Sequence, residues 1–151
     1  MIAGHLRYYR YFDRPIVLER TPDGRDIGAI LNIRTGRFES APFDIVEEIL
    51  GARSESNIRT FRSQREFIRA TEEARMEHLR GTGPVFALYD TITAIFEQRR
   101  TEQRHLSPDE RALITSLFQR TYKMWEDEFA RQDAGQAPSF SYTSALPPTK
   151  E

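Results

Sequence analysis

Alternating apolar and polar positions mark the first 40 residues of the chain. Residues 14–20 form a short run rich in apolar and β-branched side chains, and residues 27–34 alternate strictly. A period of two with one apolar face is typical of a half-buried antiparallel strand. Here that face would consist of Ile27, Ala29, Leu31 and Ile33.

Two turn sequences separate these runs, Thr21-Pro22-Asp23-Gly24 and Thr35-Gly36. Proline fixes the backbone at the second position of a turn and glycine accepts the positive φ that follows. The aromatic stretch at residues 6–12 favours a further strand, because aromatic side chains suit a pleated sheet. The sequence therefore predicts an N-terminal antiparallel β-meander of three to four strands.

From residue 42 onward the apolar positions recur at intervals of three and four residues, as in helices. Ser63 and Glu66 have the spacing of a capping box, and Ser107 and Glu110 repeat it with a proline at the first helical position. We predict about four helices, the last two packing as an αα-hairpin. The clearest apolar stripe consists of Val85, Leu88, Tyr89, Ile92, Ile95 and Phe96.

Strands followed by helices predict the α+β class rather than alternating α/β. We expect one α+β domain over residues 1–133, with its β part at about 5–40 and its helical part at about 42–133. Residues 57–61 fit either a short strand or an irregular link. Residues 134–151 change to a Pro- and Ser-containing composition and are predicted as a C-terminal tail, docked either on the domain or on a partner.

Composition excludes several classes of protein. The 151 residues include no cysteine, which removes disulfide scaffolds, thiolate metal sites and cysteine nucleophiles. Apolar runs fall short of the ~20 residues that a membrane helix needs, and no secretory signal pattern is visible. We therefore expect a soluble, cytoplasmic protein without a membrane partner. The formal net charge of -1 argues against a strong polyanion binder.

This net charge conceals a basic row at residues 53–69 and an acidic stretch at residues 126–133. A helix that included Arg62 would place Arg62, Arg65 and Arg69 on one face. Such a row suits an anionic partner, while the alternative is an ordinary solvated helix face. Of the basic row, Arg59, Arg62, Arg65 and Arg69 are candidate partner-binding residues, and Arg53 precedes them.

The segment at residues 7–14 interleaves arginines with aromatic side chains. Aromatic faces stack on nucleic-acid bases while arginines contact phosphates. The alternative is a strand with its aromatics inward and its arginines at a solvated edge. The candidate nucleic-acid contacts are Arg7, Tyr9, Arg10 and Tyr11.

The tail offers Phe140, Tyr142 and Leu146 as further partner-binding anchors on a mobile arm. Aromatic side chains carry much of the binding energy at protein interfaces, which motivates this assignment. Nothing in the sequence separates a tail docked on its own domain from one that docks elsewhere.

Catalytic and metal-binding patterns are incomplete. His78 follows Glu73 and Glu77, but the spacing matches no metal-binding signature, and we interpret Glu72, Glu73 and Glu77 as an exposed acidic strip paired with arginines. No nucleophile elbow, phosphate loop or dinucleotide fingerprint occurs. We assign no catalytic residue, no metal ligand and no cofactor.

Three functional hypotheses follow. The first is a non-enzymatic protein-interaction module, such as an adaptor, assembly factor, inhibitor or immunity-type protein, whose partner is another protein or a second copy of the chain. Its abundant arginine and aromatic residues are those enriched at interfaces. The second hypothesis is a nucleic-acid-binding protein, and the third is an enzyme or small-ligand binder whose site is assembled from dispersed residues.

Overall fold

A computed structural model of the chain describes residues 5–51 and 57–148. The chain begins with an antiparallel meander, and a fifth strand pairs with the outer side of the first, giving the strand order β4-β3-β2-β1-β5. Residues 57–61 thus contain a strand. The five strands are β1 (Leu6–Tyr11), β2 (Arg14–Arg20), β3 (Asp26–Leu31), β4 (Phe38–Ser40) and β5 (Ile58–Thr60).

Four helices and a second, two-stranded sheet complete the described ranges. A meander followed by helices confirms the predicted α+β class. The fifth strand, β5, differs from this simple order because it lies between two helices in the sequence. None of the helices in these ranges combines the length and apolar character needed to cross a membrane. The elements are α1 (Phe43–Gly51), α2 (Gln64–His78), β6 (Leu79–Gly81), α3 (Pro84–Thr101), α4 (Pro108–Asp133) and β7 (Tyr142–Ser144).

Both faces of the five-stranded sheet pack against helices. On one face, Ile16 and Ile30 pack with Val46 of α1. On the other, Phe67 of α2 contacts Tyr8, with ring centroids 4.8 Å apart. The expectation of a single apolar face through Ile27, Ala29, Leu31 and Ile33 is therefore wrong: Ile30 is 1% exposed, and Ile27 is 48% exposed. A sheet covered on both sides has no exclusively polar face.

The two last helices form the predicted hairpin, and α2 packs beside them. At the start of α4, the Ser107 hydroxyl accepts a hydrogen bond from the Glu110 amide at 3.1 Å, and the Glu110 carboxylate accepts one from the Ser107 amide at 2.9 Å. This capping box was predicted from the sequence. The helical core consists of Leu79, Val85, Phe86, Tyr89, Ile92, Ile114, Phe118 and Trp125.

The segment predicted as a tail folds back on the helices instead of forming a mobile arm. β7 pairs antiparallel with β6, with Gly81 opposite Tyr142. Phe140 and Tyr142 pack against the core, with ring centroids 5.4 Å and 5.0 Å from that of Trp125. A Cβ atom at Gly81 would collide with the Ser141 carbonyl, so glycine allows the close approach of β7. The composition of this segment did not reveal that its aromatic side chains would find partners inside the domain.

Candidate functional site

A cleft of about 450 Å³ opens where the β1 and β5 edge of the sheet meets α2 and α4. Four arginines line it: Arg10 of β1, Arg59 of β5, and Arg65 and Arg69 of α2. With two glutamates in the same lining, the excess is two positive charges. We call this the cationic cleft.

Two like-charged pairs build the cationic cleft. Arg10 and Arg59 are direct partners in the antiparallel register of β1 and β5, which places their Cβ atoms about 4.5–5.5 Å apart on one face of the sheet. Arg65 and Arg69 are four residues apart in α2 and are neighbours on the helix surface. Like charges in either arrangement are destabilising. The fold therefore concentrates positive charge here at a cost.

The two glutamates of the cleft neutralise it only in part. The Glu73 carboxylate lies 3.4 Å from Nε of Arg69, as an i,i+4 ion pair. Glu66 accepts a hydrogen bond from the Arg62 backbone amide at 2.8 Å and so helps to cap α2. Within residues 5–51 and 57–148, no carboxylate oxygen lies within 4.0 Å of a side-chain nitrogen of Arg10, Arg59 or Arg65.

The Arg10 side chain also has an unsatisfied donor. Its Nε atom is buried and has no hydrogen-bond partner among the residues that the structure describes. A buried donor without a partner costs about 1–3 kcal/mol, so the fold holds Arg10 beside the cleft at a further cost.

An apolar floor complements the charges. The Arg69 guanidinium lies 5.4 Å from the centroid of the Phe118 ring, a cation–π arrangement that holds it at the wall of the cleft. Phe61 and Ile68 add further apolar surface to the lining. Clefts that combine such surface with a few converging polar groups are typical ligand sites.

The basic row of the sequence is only partly reproduced. α2 begins at Gln64, and Ser63 is its N-cap, because the Ser63 hydroxyl accepts from the Glu66 amide at 3.3 Å. Arg62 therefore precedes the helix, and the expectation of one face shared by Arg62, Arg65 and Arg69 is wrong. Arg62 does not line the cationic cleft, and Arg53 lies outside the described residues.

The arginine-aromatic alternation of β1 serves mainly the fold. Tyr9 and Tyr11 pack in the core cluster beneath α1, and the Tyr11 hydroxyl donates to Glu48 at 2.7 Å, which raises the pKa of Tyr11. Arg7 forms an ion pair with Asp26. Of the four candidate nucleic-acid contacts, only Arg10 lines the cleft. Nucleic-acid binding by β1 therefore stays a prediction, and Tyr9 and Tyr11 provide no stacking surface in the cleft to support it.

Glu72 and Arg75, which the sequence suggested as part of an exposed strip, are 0% and 2% exposed. The expectation was wrong because the inward face of α2 that carries Thr71 and Ala74 also includes these two positions. The Arg75 guanidinium donates to Glu72 at 2.7 Å and to the Gly36 carbonyl at 2.7 and 2.9 Å. The ion pair is therefore buried with its donors satisfied.

Two aromatic side chains complete this buried network. The Tyr89 hydroxyl donates to Glu72 at 2.7 Å and accepts from the Trp125 indole at 2.8 Å. Burial and the neighbouring Glu72 carboxylate raise the pKa of Tyr89 far above its usual range, so the hydroxyl remains a donor. The network joins α2, α3 and α4 through buried hydrogen bonds and so stabilises the packing of the three helices.

The remaining ionisable candidates do not converge. Glu73 pairs with Arg69 in the cationic cleft, whereas Glu77 is exposed and lies 3.8 Å from Nε2 of His78. In the part of the chain that the structure describes, no group of three or more histidine and acidic side chains is arranged to hold a metal ion. Phe140 and Tyr142 contact their own core and Leu146 is half-buried, so their role as partner anchors stays a prediction.

Sequence reasoning assigned Arg10 and Arg59 to separate surfaces. Only the pairing of β5 with β1 brings them together, and strands so far apart in sequence carry no local signal of their pairing. Phe118 belongs to the helical core, and its ring also faces Arg69.

Comparison with known proteins gives no relative for this arrangement: no protein-family model, no curated protein and no solved structure matches the chain.

Proposed function

We propose that the protein is a non-enzymatic protein-interaction module that binds an acidic segment of a partner protein in the cationic cleft. The observation that carries the proposal is that four arginines line one cleft as two like-charged pairs, Arg10 with Arg59 and Arg65 with Arg69.

An anionic ligand would relieve the repulsion between the neighbouring arginines of the cationic cleft. An i,i+4 like-charge pair costs about 0.2–0.5 kcal/mol in a helix, and the directly opposed pair on the strands adds a similar penalty. The guanidinium presents its donors in a rigid fork that matches a carboxylate in two parallel hydrogen bonds. Acidic side chains of a partner would therefore satisfy Arg10, Arg59 and Arg65 together.

A protein segment fits the cleft better than a nucleic acid. The chain carries a formal net charge of -1, which gives no general attraction for a polyanion. The apolar surface of the half-buried Phe61 and Ile68 suits an apolar side chain beside the acidic ones. Interfaces with an apolar centre and charged surroundings are typical of transient protein complexes.

Fluorescence anisotropy with a labelled peptide of alternating glutamate and leucine tests the proposal. We expect saturable binding that weakens with salt, and an Arg59→Gln/Arg65→Gln variant that binds at least about tenfold more weakly, because each lost charge-assisted hydrogen bond is worth about 1.5–3 kcal/mol. Arg120→Gln is the matched control, since Arg120 is exposed on α4 and lies outside the cleft.

Thermal unfolding of each variant checks that the variant is folded. Equal affinity in the double variant and in the control would overturn the proposal, and so would equal binding of a peptide with lysine in place of glutamate.

A further inference from the structure

Arg10, Arg59 and Arg65 have no carboxylate partner within residues 5–51 and 57–148. They come from three different elements, β1, β5 and α2, and all three line the cationic cleft. Resting on the proposed function, we infer that the group they select is a phosphoryl dianion on a serine or threonine side chain of the partner. The cleft would thus read the phosphorylated form of the acidic segment.

Charge matching is the first argument. The cleft carries an excess of two positive charges, and a phosphorylated side chain carries about −1.5 to −2 at neutral pH. A single carboxylate would leave a positive excess in the same space. Because Glu73 already pairs with Arg69, the three remaining guanidiniums are those left to face the ligand.

Donor matching is the second argument. A phosphoryl group offers three strong acceptor oxygens, and each guanidinium offers several N–H donors in fixed directions. A carboxylate with two oxygens bridges three guanidiniums less completely than a tetrahedral group does.

The position of α2 is the third argument. Arg65 is the second residue of this 15-residue helix, so the cleft includes its first turn. The amino-terminal end of a helix carries a partial positive charge and favours phosphate groups. Here it adds to an arginine cluster, which is the usual arrangement for recognising a phosphorylated motif.

The dimensions favour a phosphorylated side chain over a nucleic-acid strand. A cleft of about 450 Å³ has the size of a site for one side chain and its neighbours. Tyr9 and Tyr11 are half-buried beneath α1, on the sheet face opposite Arg10, so they do not extend the cleft into a stacking platform. A phosphorylated protein is therefore the source of the phosphoryl group that we propose.

Three labelled peptides of one sequence, with phosphoserine, glutamate or serine at a single central position, test the inference. We expect the phosphoserine peptide to bind about tenfold more tightly than the glutamate peptide, which corresponds to about 1.4 kcal/mol. We also expect its affinity to fall between pH 7.5 and 5.5, since the second pKa of the phosphate is about 6, while that of the glutamate peptide stays constant.

Variants locate the effect. Arg59→Gln, which changes an exposed side chain on the short strand β5, should remove the preference for phosphoserine, and Arg120→Gln should keep it. Arg10→Gln is a second test, with circular dichroism to confirm folding, because Arg10 lies within β1.

The outcomes separate the two proposals. Equal affinity for the phosphoserine and glutamate peptides, both lost in Arg59→Gln, would overturn the phosphoryl inference and leave the proposed function intact. Failure of both peptides to bind would overturn both. Tighter binding of a single-stranded RNA, with a steep salt dependence, would overturn both in favour of nucleic acid.

Discussion

Arg75 is the residue on which most of the helical core depends. Its guanidinium contacts the Gly36 carbonyl, the Glu72 carboxylate and the rings of Trp125 and Phe129, whose centroids are 5.6 Å and 5.8 Å away. One side chain thus joins α2 and α4 to the turn between β3 and β4. Gly36 has a positive φ of 77°, which lets this turn present its carbonyl to the core.

Arg75→Met should lower the free energy of unfolding by about 3–5 kcal/mol, because it leaves the Glu72 carboxylate buried without its counter-charge. Adding Glu72→Gln should recover part of the loss, since a neutral amide removes that charge and still accepts from Tyr89. Urea unfolding of the two variants and of the original chain measures the difference. Equal stability of the single and double variants would contradict this account.

The residue scale also shows what sequence alone left open. Thr71 and Ala74 are buried on the inner side of α2 together with Glu72 and Arg75, whose charged character suggested exposure. Their burial depends on Tyr89, Trp125 and the Gly36 carbonyl, which come from three other segments. No local pattern contains that information.

Helix ends are the elements that sequence predicted best. The α4 capping box is a local motif, and its glutamate has a second partner: Arg104 donates to Glu110 at 2.7 and 3.0 Å. The hydrogen bonds from Arg104, followed by that from the Ser107 amide, lower the pKa of Glu110 to about 2.

This lowered pKa predicts an acid-sensitive helix start. A carboxyl group whose pKa is lower in the folded state stabilises the fold above its unfolded value of 4.5, and the stabilisation is lost as the pH falls towards about 2. Glu110→Gln should therefore be less stable than the original chain at pH 6, with the difference disappearing near pH 2. Thermal unfolding across this range measures it, with Asp109→Asn in the same turn as the control. A difference that stays constant with pH would count against the prediction.

β6 and β7 are elements that the sequence did not predict, since the two strands are separated by two long helices. The composition of residues 134–148 resembles a disordered tail, and only the space left by Gly81 and the aromatic core accounts for its docking. The same limit applies to the pairing of β5 with β1, which brings Arg59 to the cationic cleft.

Gly81→Ala should displace β7, because the new methyl group would meet the Ser141 carbonyl and the Tyr142 Cβ atom. We expect a loss of about 1–3 kcal/mol, as for other overpacked sites, and faster proteolysis between α4 and β7. Gly51→Ala is the control, since no atom of residues 5–51 and 57–148 lies within 4 Å of its added Cβ. Equal proteolysis rates in the two variants would show that β6 and β7 do not depend on this contact.

At the scale of the whole molecule, the near-neutral charge is distributed unevenly. The cationic cleft collects four arginines, while acidic side chains such as Glu126 and Asp127 lie on the outer surface towards the end of α4. Sequence reasoning detected this polarity through the basic row but placed it on one helix face. The pairing of β1 with β5 turns it into a cleft.

An anion that occupies the cationic cleft should stabilise the folded chain by mass action, by about 2.7 kcal/mol at a hundred times its dissociation constant. We expect inorganic phosphate to raise the unfolding temperature above that in chloride at equal ionic strength. Phosphate also stabilises proteins in general by exclusion from their surface, so the Arg59→Gln/Arg65→Gln variant supplies the baseline. An equal rise in that variant would exclude specific occupancy.

The chain contains one tryptophan, and its indole lies between the aromatic rings of the folded-back segment and the hydroxyl of Tyr89. Tryptophan fluorescence therefore comes from a single position that senses whether this segment is docked. Release of Phe140 and Tyr142 would admit water to the indole and shift its emission to longer wavelength, while the cleft at the other end of α2 would remain optically silent. The molecule thus carries its own label-free probe of β7, and ligand binding in the cleft can be separated spectroscopically from detachment of the segment.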